Sequence, residues 1–567
     1  MKRLRWLALA GVFALVASAC GPAAETTTTA GETDTTAAPD TTAPDEEFEG
    51  MRLDSGGCEY GGKVNTITAV DSHTVEFALC SPDPAFLAKI AFGVFGIQPS
   101  EHLEATGGAP LDNPVGTGPY SLVEWVRGDS VVYERFDDYY GDQPAHQTAV
   151  LRWATEGAQR LLELQTGNVD GITFPSTDDY PVIEDDPNLA LIDKPEPNIF
   201  YIGFTNTFAP FDDPLVRRAI ALGIDRQRII DTFYPPGSEV ASHFTPCSVE
   251  FGCEGDSWYE FDPEQGRQLL ADAGFPDGFD TTIAYRDVFR GYLPEPGAVA
   301  AEIQSQLAEN LNINAEIEVI ESGEFIQTTT QGNYEGIHLL GWTGDYPHIT
   351  NFLDFHFNAD NPQFGVNDPS YTEPLSEASQ LAEPDPALYA EANNAIKEFV
   401  PMIPVVHGAT AFAFAAGVDG AYAPPWGQVQ FHLMDNGEDT FVFMQGNEPI
   451  SIYCADESDG ESLRACAQVV EALYDYDAEG NVVPQLAEEC VPNDEGVGRR
   501  GPLTVWTCTL RQGVKFHDGS DFDANDVVAT FSAGLDAESP LHVGNSGAFD
   551  YYAYLWNSLI NPPPAEE

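Results

Sequence analysis

From Glu156 onward the chain alternates apolar runs of strand length with stretches of helical spacing, and this alternation limits its possible folds more than any other feature. Residues 158–164 carry a helical pattern that stops at Gly167, and Val169-Asp170-Gly171 starts a strand. Residues 200–205 read as a short buried strand. Asp213-Pro214 opens a helix through Leu222, with proline in the first turn, where no partner for its missing N–H is needed. Helical patterns follow at 265–273, 299–311 and 387–399, and strands at 315–319, 335–340 and 403–406. Helices interleaved with strands cover the faces of a sheet, which predicts an α/β fold with mixed sheets. The 567 residues are too many for one simple core, so two or three lobes are expected.

The two ends of the chain read differently from its middle. Residues 63–70 and 73–79 form one hairpin around Asp71-Ser72, and 120–125 with 130–136 form another across Arg127-Gly128-Asp129. After Asn436-Gly437 a fresh strand spans 440–443, followed by a helix over 462–474 and a strand pair at 482–487 and 503–510. A turn over 513–519 and a helix over 524–535 complete the series, which reads as the beginning of a domain placed at the end of a chain.

Lys2, Arg3 and Arg5 precede an apolar stretch at 6–16 and the small residues Ala17, Ser18 and Ala19, the layout of an export signal. Residues 22–45 are rich in Thr, Ala and Pro and are expected to form a disordered tether. Of 9 cysteines, setting aside Cys20 leaves an even number in an exported chain, which favours disulfides. Connectivity is open in the sequence; the expectation pairs near neighbours, Cys58 with Cys80, Cys247 with Cys253, Cys454 with Cys466, and Cys490 with Cys508. Asp and Glu number 91 against 24 Lys and Arg, a net charge of −67, which argues against a nucleic-acid partner. Such a surface either attracts cations or simply holds water, and net charge speaks mainly to solubility and steering. No HExxH, GxSxG or phosphate-binding loop is present, so metal, hydrolase and ATPase readings lack a site, and neither an enzyme nor a cofactor is expected.

The run Trp506-Thr507-Cys508-Thr509-Leu510-Arg511-Gln512-Gly513-Val514-Lys515-Phe516-His517-Asp518-Gly519 resembles the signature of the bacterial extracellular solute-binding proteins of family 5, which serve peptide, dipeptide and nickel ABC importers. Val115-Gly116-Thr117-Gly118-Pro119-Tyr120, Leu164-Gln165-Thr166-Gly167-Asn168-Val169-Asp170, the run from Pro210 to Arg226, and Gly341-Trp342-Thr343-Gly344-Asp345 are similar to further family segments. Cys20 stands where a bacterial lipoprotein carries its lipid, with Ala17 in a position where Leu or Val is commoner; ordinary cleavage beside an incidental cysteine is the alternative. The order departs from the family: the 506–519 signature, usually early, comes last. This resembles a circular permutation joined at Asn436-Gly437-Glu438, the alternative being a mis-joined gene.

The resemblance implies a two-lobed periplasmic-binding-protein-like fold, type II, of the large peptide-binding subclass with an extra subdomain. The expected division is a signal at 1–20, a tether at 21–47, part of a lobe I subdomain at 48–155, lobe I at 156–265, and lobe II at 266–420. Residues 421–460 are then expected to return to lobe I, and 461–567 to lobe I and its subdomain. Under the permutation, strand 440–443 is expected in the same lobe as strand 200–205, and residues 48–64 beside Trp556 and Leu559.

Family resemblance also implies a site. Asp345 matches an aspartate that pairs with a peptide's α-ammonium, and His348 stands where the family often has an acidic residue, which leaves the ligand class open. Trp342 is expected as an aromatic wall, with Thr343 and Gly344 beside it. Tyr201 aligns with a ligand-facing tyrosine, and the segment 456–461, including Gly460 and Glu461, with a stretch that reads peptide backbone. The implied partners are a small peptide, an ABC permease and, through Cys20, the outer face of the cell membrane, with the protein a monomer. A nickel chelate or an oligosaccharide on the same scaffold is the alternative ligand, and a sensor or enzyme built on this fold the other.

Overall fold

The strand Asn198–Phe204 is buried at all seven positions, so it needs neighbours on both edges and cover on both faces. It lies inside a six-stranded sheet, antiparallel to Met402–His407 on one side and to Ile337–Thr343 on the other. Asp280–Tyr285 and Asn314–Val319 extend this sheet in parallel, so the sheet is mixed, as the alternating pattern predicts. The computed structural model describes residues 48–195, 197–359, 361–381, 384–493 and 503–562; the expected export signal, Cys20 and the expected tether at 21–47 lie outside them. Phe48–Glu567 is one compact unit. Among the described residues no helix is long and apolar enough to cross a membrane.

A second sheet of seven strands holds Thr440–Gln445 near its middle, parallel to Thr148–Trp153 and to Gly171–Thr173. This corrects the expectation that strands 440–443 and 200–205 share a lobe: they belong to different sheets. The division of lobes shifts with it. The chain passes from the seven-stranded sheet (Leu189–Lys194) to the six-stranded one (Asn198–Phe204), and returns between Met402–His407 and Thr410–Ala415. Residues 198–265, expected in lobe I, therefore belong with the six-stranded sheet, and 410–415 with the seven-stranded one. Asn198 pins the two crossings together. Its Nδ2 donates to Gly408 O at 2.8 Å, and Gly408 N donates to its Oδ1 at 2.7 Å.

Helices cover these sheets and are fixed by local chemistry. Asp213 caps Pro214–Gly223 by accepting from Leu215 N at 2.8 Å. The buried guanidinium of Arg217 on this helix donates to Phe211 O, Phe399 O and Val400 O at 2.6–2.8 Å. It thereby satisfies carbonyls at the end of Pro386–Phe399 that have no helical partner.

The third sheet, of five strands, is made by both ends of the chain. Val505–Leu510 pairs antiparallel with Thr74–Leu79 on one side and with Ala487–Pro492 on the other. Lys63 N donates to Trp556 O at 2.7 Å, and the Trp556 ring lies 6.1 Å from Phe86 and 5.8 Å from Phe95. Early and late segments thus share one core, and residues 503–562 are not a detached domain. The helix Ala524–Leu535 packs on this sheet behind a capping box of Asp523 and Asp526. All four near-neighbour disulfides are formed: Cys58–Cys80, Cys247–Cys253, Cys454–Cys466 and Cys490–Cys508. Cys490 and Cys508 face each other directly across the strand pair.

Candidate ligand-binding cleft

Ile337–Thr343 carries Gly341 within its paired length and Gly344 just past its end, and crowding demands both glycines. A Cβ at 341 would meet Tyr292 Cδ2 at 2.3 Å and Ile199 O at 2.4 Å; one at 344 would meet the Trp426 ring at 2.6 Å. The close turn brings Trp342, Thr343, Gly344 and Asp345 to the wall of a cavity of about 980 Å³ lined by residues from both large sheets. Tyr201, Gly460 and Glu461 line the same cavity, so all seven ligand-facing candidates converge there.

Asp345 is held from two directions. Asn351 Nδ2 donates to its Oδ2 at 3.2 Å, and the Tyr551 hydroxyl donates to its Oδ1 at 3.0 Å. Burial nonetheless pushes its carboxyl up to about 6, because two neutral donors compensate only part of the lost hydration. Asn351 also fixes the wall beside it: its Oδ1 accepts from Asp345 N at 2.9 Å and from Trp342 Nε1 at 3.1 Å. The Trp342 ring stacks on Phe355 at 4.7 Å and meets Tyr554 edge-on at 5.9 Å. Tyr201 forms floor rather than wall. It is only 1% exposed, and its hydroxyl accepts from Gln363 Nε2.

The expected backbone-reading segment 456–461 divides in two. Asp456 turns away from the cavity and accepts from Ser546 N, Gly547 N and Phe549 N at 2.5–2.8 Å. Glu457 accepts from Ser451 Oγ and from Asn545 Nδ2. Asp456 satisfies backbone N–H groups of the 544–549 loop and Glu457 meets the Asn545 side chain of the same loop, so neither lines the cavity. Only 458–461 line the cavity, at the start of the helix Gly460–Cys466.

The cavity's charge is unlike that of the chain. Arg160, Lys194, Arg286, Arg290 and Arg464 line it, against Glu295, Asp345, Asp459 and Glu461. Arg160 is spent on structure: it donates to the carbonyls of Ala154, Thr155, Thr173 and Phe174 at 2.7–3.1 Å. Arg464 donates to Gln445 Oε1 at 2.9 Å. Arg286 is steadied by two hydroxyls, Ser322 Oγ at 3.1 Å and Tyr292 OH at 3.3 Å, and Arg290 by the carbonyl of Phe289 at 2.8 Å. Among the described residues neither Arg286 nor Arg290 forms an ion pair with a carboxylate.

Sequence reasoning missed Arg286, Arg290, Asn351 and Tyr551. Two arginines within five residues, in a chain with 24 basic groups, were the available signal for the first pair. Tyr551 carried none, being 206 residues from Asp345. Beside Asp345, Tyr346 lies under Lys89 Nζ at 5.8 Å, and Lys89 and Lys63 reach Asp83 at 2.7 and 3.2 Å. Burial opposes ionisation of Asp83, but the two ammonium groups hold its carboxyl far below the usual range. A group with metal-ligating atoms, His243, Cys247 and Cys253, does not line the cavity, and its two sulfurs are bonded to each other.

Known proteins are similar to this chain in sequence and fold. The dipeptide-binding protein of Escherichia coli (strain K12) is 27% identical over 399 residues, 68% of this chain and 73% of the relative. Heme-binding protein A of Haemophilus influenzae is also 27% identical, over 65% of this chain and 69% of the relative. The crystal structure of a dipeptide binding protein from Pseudoalteromonas sp. SM9913 in complex with Met-Leu superposes with a TM-score of 0.58 at 25% identity, covering 66% of this chain and 76% of that one. The family described as bacterial extracellular solute-binding proteins, family 5 Middle, matches at residues 29–364 and 481–551. With the two-lobed architecture and the cleft in place, the chain belongs to the bacterial extracellular solute-binding proteins of family 5.

Proposed function

We propose that this protein captures short peptides outside the cytoplasm and delivers them to an ABC importer, acting as a monomer tethered to the membrane through Cys20. The observation that carries this reading is one cavity with a fixed carboxylate, Asp345, and two arginines without carboxylate partners, Arg286 and Arg290. A zwitterionic peptide presents the complementary pair, an α-ammonium and an α-carboxylate. Burying a charge is tolerated when an opposite charge meets it, so the ammonium gives Asp345 the partner that its neutral neighbours cannot. Arg290, on the exposed part of the loop, takes the α-carboxylate as a forked donor. The printed names of the relatives, dipeptide-binding among them, support the same ligand class.

The family order suggests that the chain is also circularly permuted, with Thr440–Gln445 as the family's first strand. The split match at 29–364 and 481–551, and the sheet built from both chain ends, support that reading.

Calorimetry with Ala-Ala and its N-acetyl derivative tests the function. The free peptide binds, acetylation abolishes binding, and Asp345→Asn weakens the free peptide by about 2–5 kcal/mol. Equal binding of free and acetylated peptide would overturn the reading in favour of a non-peptide solute such as heme, a nickel chelate or an oligosaccharide.

A further inference from the structure

The cleft holds more cationic capacity than an ordinary peptide requires. One α-carboxylate is met by one arginine, and two arginines face the cavity without a carboxylate. In a chain with 91 acidic residues this is informative. Outside the cleft, Arg52, Arg127, Arg218 and Arg228 each sit within 3.2 Å of a carboxylate, while Arg217, Arg226, Arg267 and Arg511 donate to backbone carbonyls. Arg286 instead rests on Ser322 and Tyr292, neutral hydroxyls that aim the guanidinium without neutralising it. Such anchoring leaves its charge and remaining N–H groups for a ligand.

Position separates the roles of the two arginines. Arg290 is exposed, whereas Arg286 is partly buried and lies close enough to the floor residue Tyr201 for its charge to act on that hydroxyl. Around it the floor is neutral and polar: Gln363, His356 and Tyr201. The imidazole of His356 is held neutral by burial, which pushes it down to about 3, so it neither repels nor replaces an anion. The acidic residues on the cavity wall have other duties. Asp345 awaits the ammonium, Glu461 lies near Arg160, Asp459 caps the Gly460–Cys466 helix, and Glu295 stands exposed at the start of Pro296–Leu311.

We propose that Arg286 is a specificity-determining residue, an anion point at the cavity floor that selects peptides carrying an acidic side chain in addition to the α-carboxylate. This rests on the peptide reading above. The long-range field of a chain with net charge −67 disfavours anionic ligands, so a preference for them has to arise locally.

Calorimetry at 0.15 M salt with Ala-Glu against Ala-Gln, and Glu-Ala against Gln-Ala, decides it, since each pair differs by charge at nearly constant shape. In at least one pair the acidic peptide binds about tenfold or more tighter. Arg286→Gln reduces that ratio to below about threefold, while Arg286→Lys, which keeps the charge but not the forked donors, retains more of it than Arg286→Gln does. Thermal melts of both variants establish that they are folded. Equal affinities within both pairs, or a preference that survives Arg286→Gln, overturn this proposal and leave the peptide reading standing. If none of the four peptides binds, the peptide reading falls and this inference with it.

Discussion

The hydroxyl of Tyr551 donates to Asp345 Oδ1 at 3.0 Å, joining the helix Asp550–Leu555 to the turn after the strand Ile337–Thr343, 206 residues earlier. The contact helps set when Asp345 is charged. Its carboxyl stands at about 6, raised by burial and held down in part by Tyr551 and Asn351. Ammonium binding needs the ionised form, so affinity falls as pH drops through about 6. Tyr551→Phe removes one donor and raises the carboxyl further. The fall then begins at higher pH, by about half a unit or more. Dissociation constants for a neutral dipeptide between pH 5 and 8 measure this, and coincident profiles for parent and variant would sink it.

His338 gives a pH-dependent stability effect of definite sign. Its ring is fully buried beside Gly203, both nitrogens lack hydrogen-bond partners among the described residues, and burial pushes it down to about 3. An unfolded histidine takes up a proton below about 6.5, whereas this one stays neutral, so its presence costs stability as pH falls through that range. His338→Leu should therefore gain about 2 kcal/mol more at pH 5 than at pH 7.5. Denaturant midpoints at the two pH values test this; an equal shift at both would reject it.

The Cys58–Cys80 bridge ties the outer ends of the hairpin formed by Val64–Asp71 and Thr74–Leu79. Replacing both cysteines by alanine should cost about 2–4 kcal/mol, through the freedom returned to the unfolded chain. Peptide mapping without reduction should find all four bridges. Free thiols at these positions would contradict the pairing.

Asn198 matters because two chain crossings depend on its one side chain. Asn198→Ala leaves the N–H and C=O of Gly408 without their partner in a buried site, at a cost of about 1–3 kcal/mol. Because the crossings join the two large sheets, the loss should also appear in ligand-induced compaction. Small-angle scattering with and without peptide measures that change. An unaltered melt and unaltered compaction would show the pin to be dispensable.

Asp345, Trp342 and Tyr201 were picked out through the family resemblance of their segments, and all three line the cavity. The near-neighbour cysteines were legible because short spacing limits where such pairs meet. The helix start at Asp213-Pro214 was readable from capping chemistry alone. Even locally the reading was imperfect. The helix expected over 462–474 ends at Cys466, and a strand, Tyr474–Tyr476, follows.

What tertiary structure decided is a matter of partners distant in sequence. The apolar run at Thr440–Gln445 would suit the interior of either large sheet, and only its parallel pairing with Thr148–Trp153 and Gly171–Thr173 assigns it. Asp456 reads as a ligand carboxylate until the 544–549 loop closes over it with backbone N–H groups 90 or more residues away. Arg286 is an ordinary loop arginine until folding gives it two hydroxyls and no acid. Local sequence determines which elements form and where they end, because capping and periodicity act over a few residues. Which carboxylate is spent on the fold and which cation stays available to a ligand depends on long-range neighbours, because desolvation and ion pairing are properties of the assembled site.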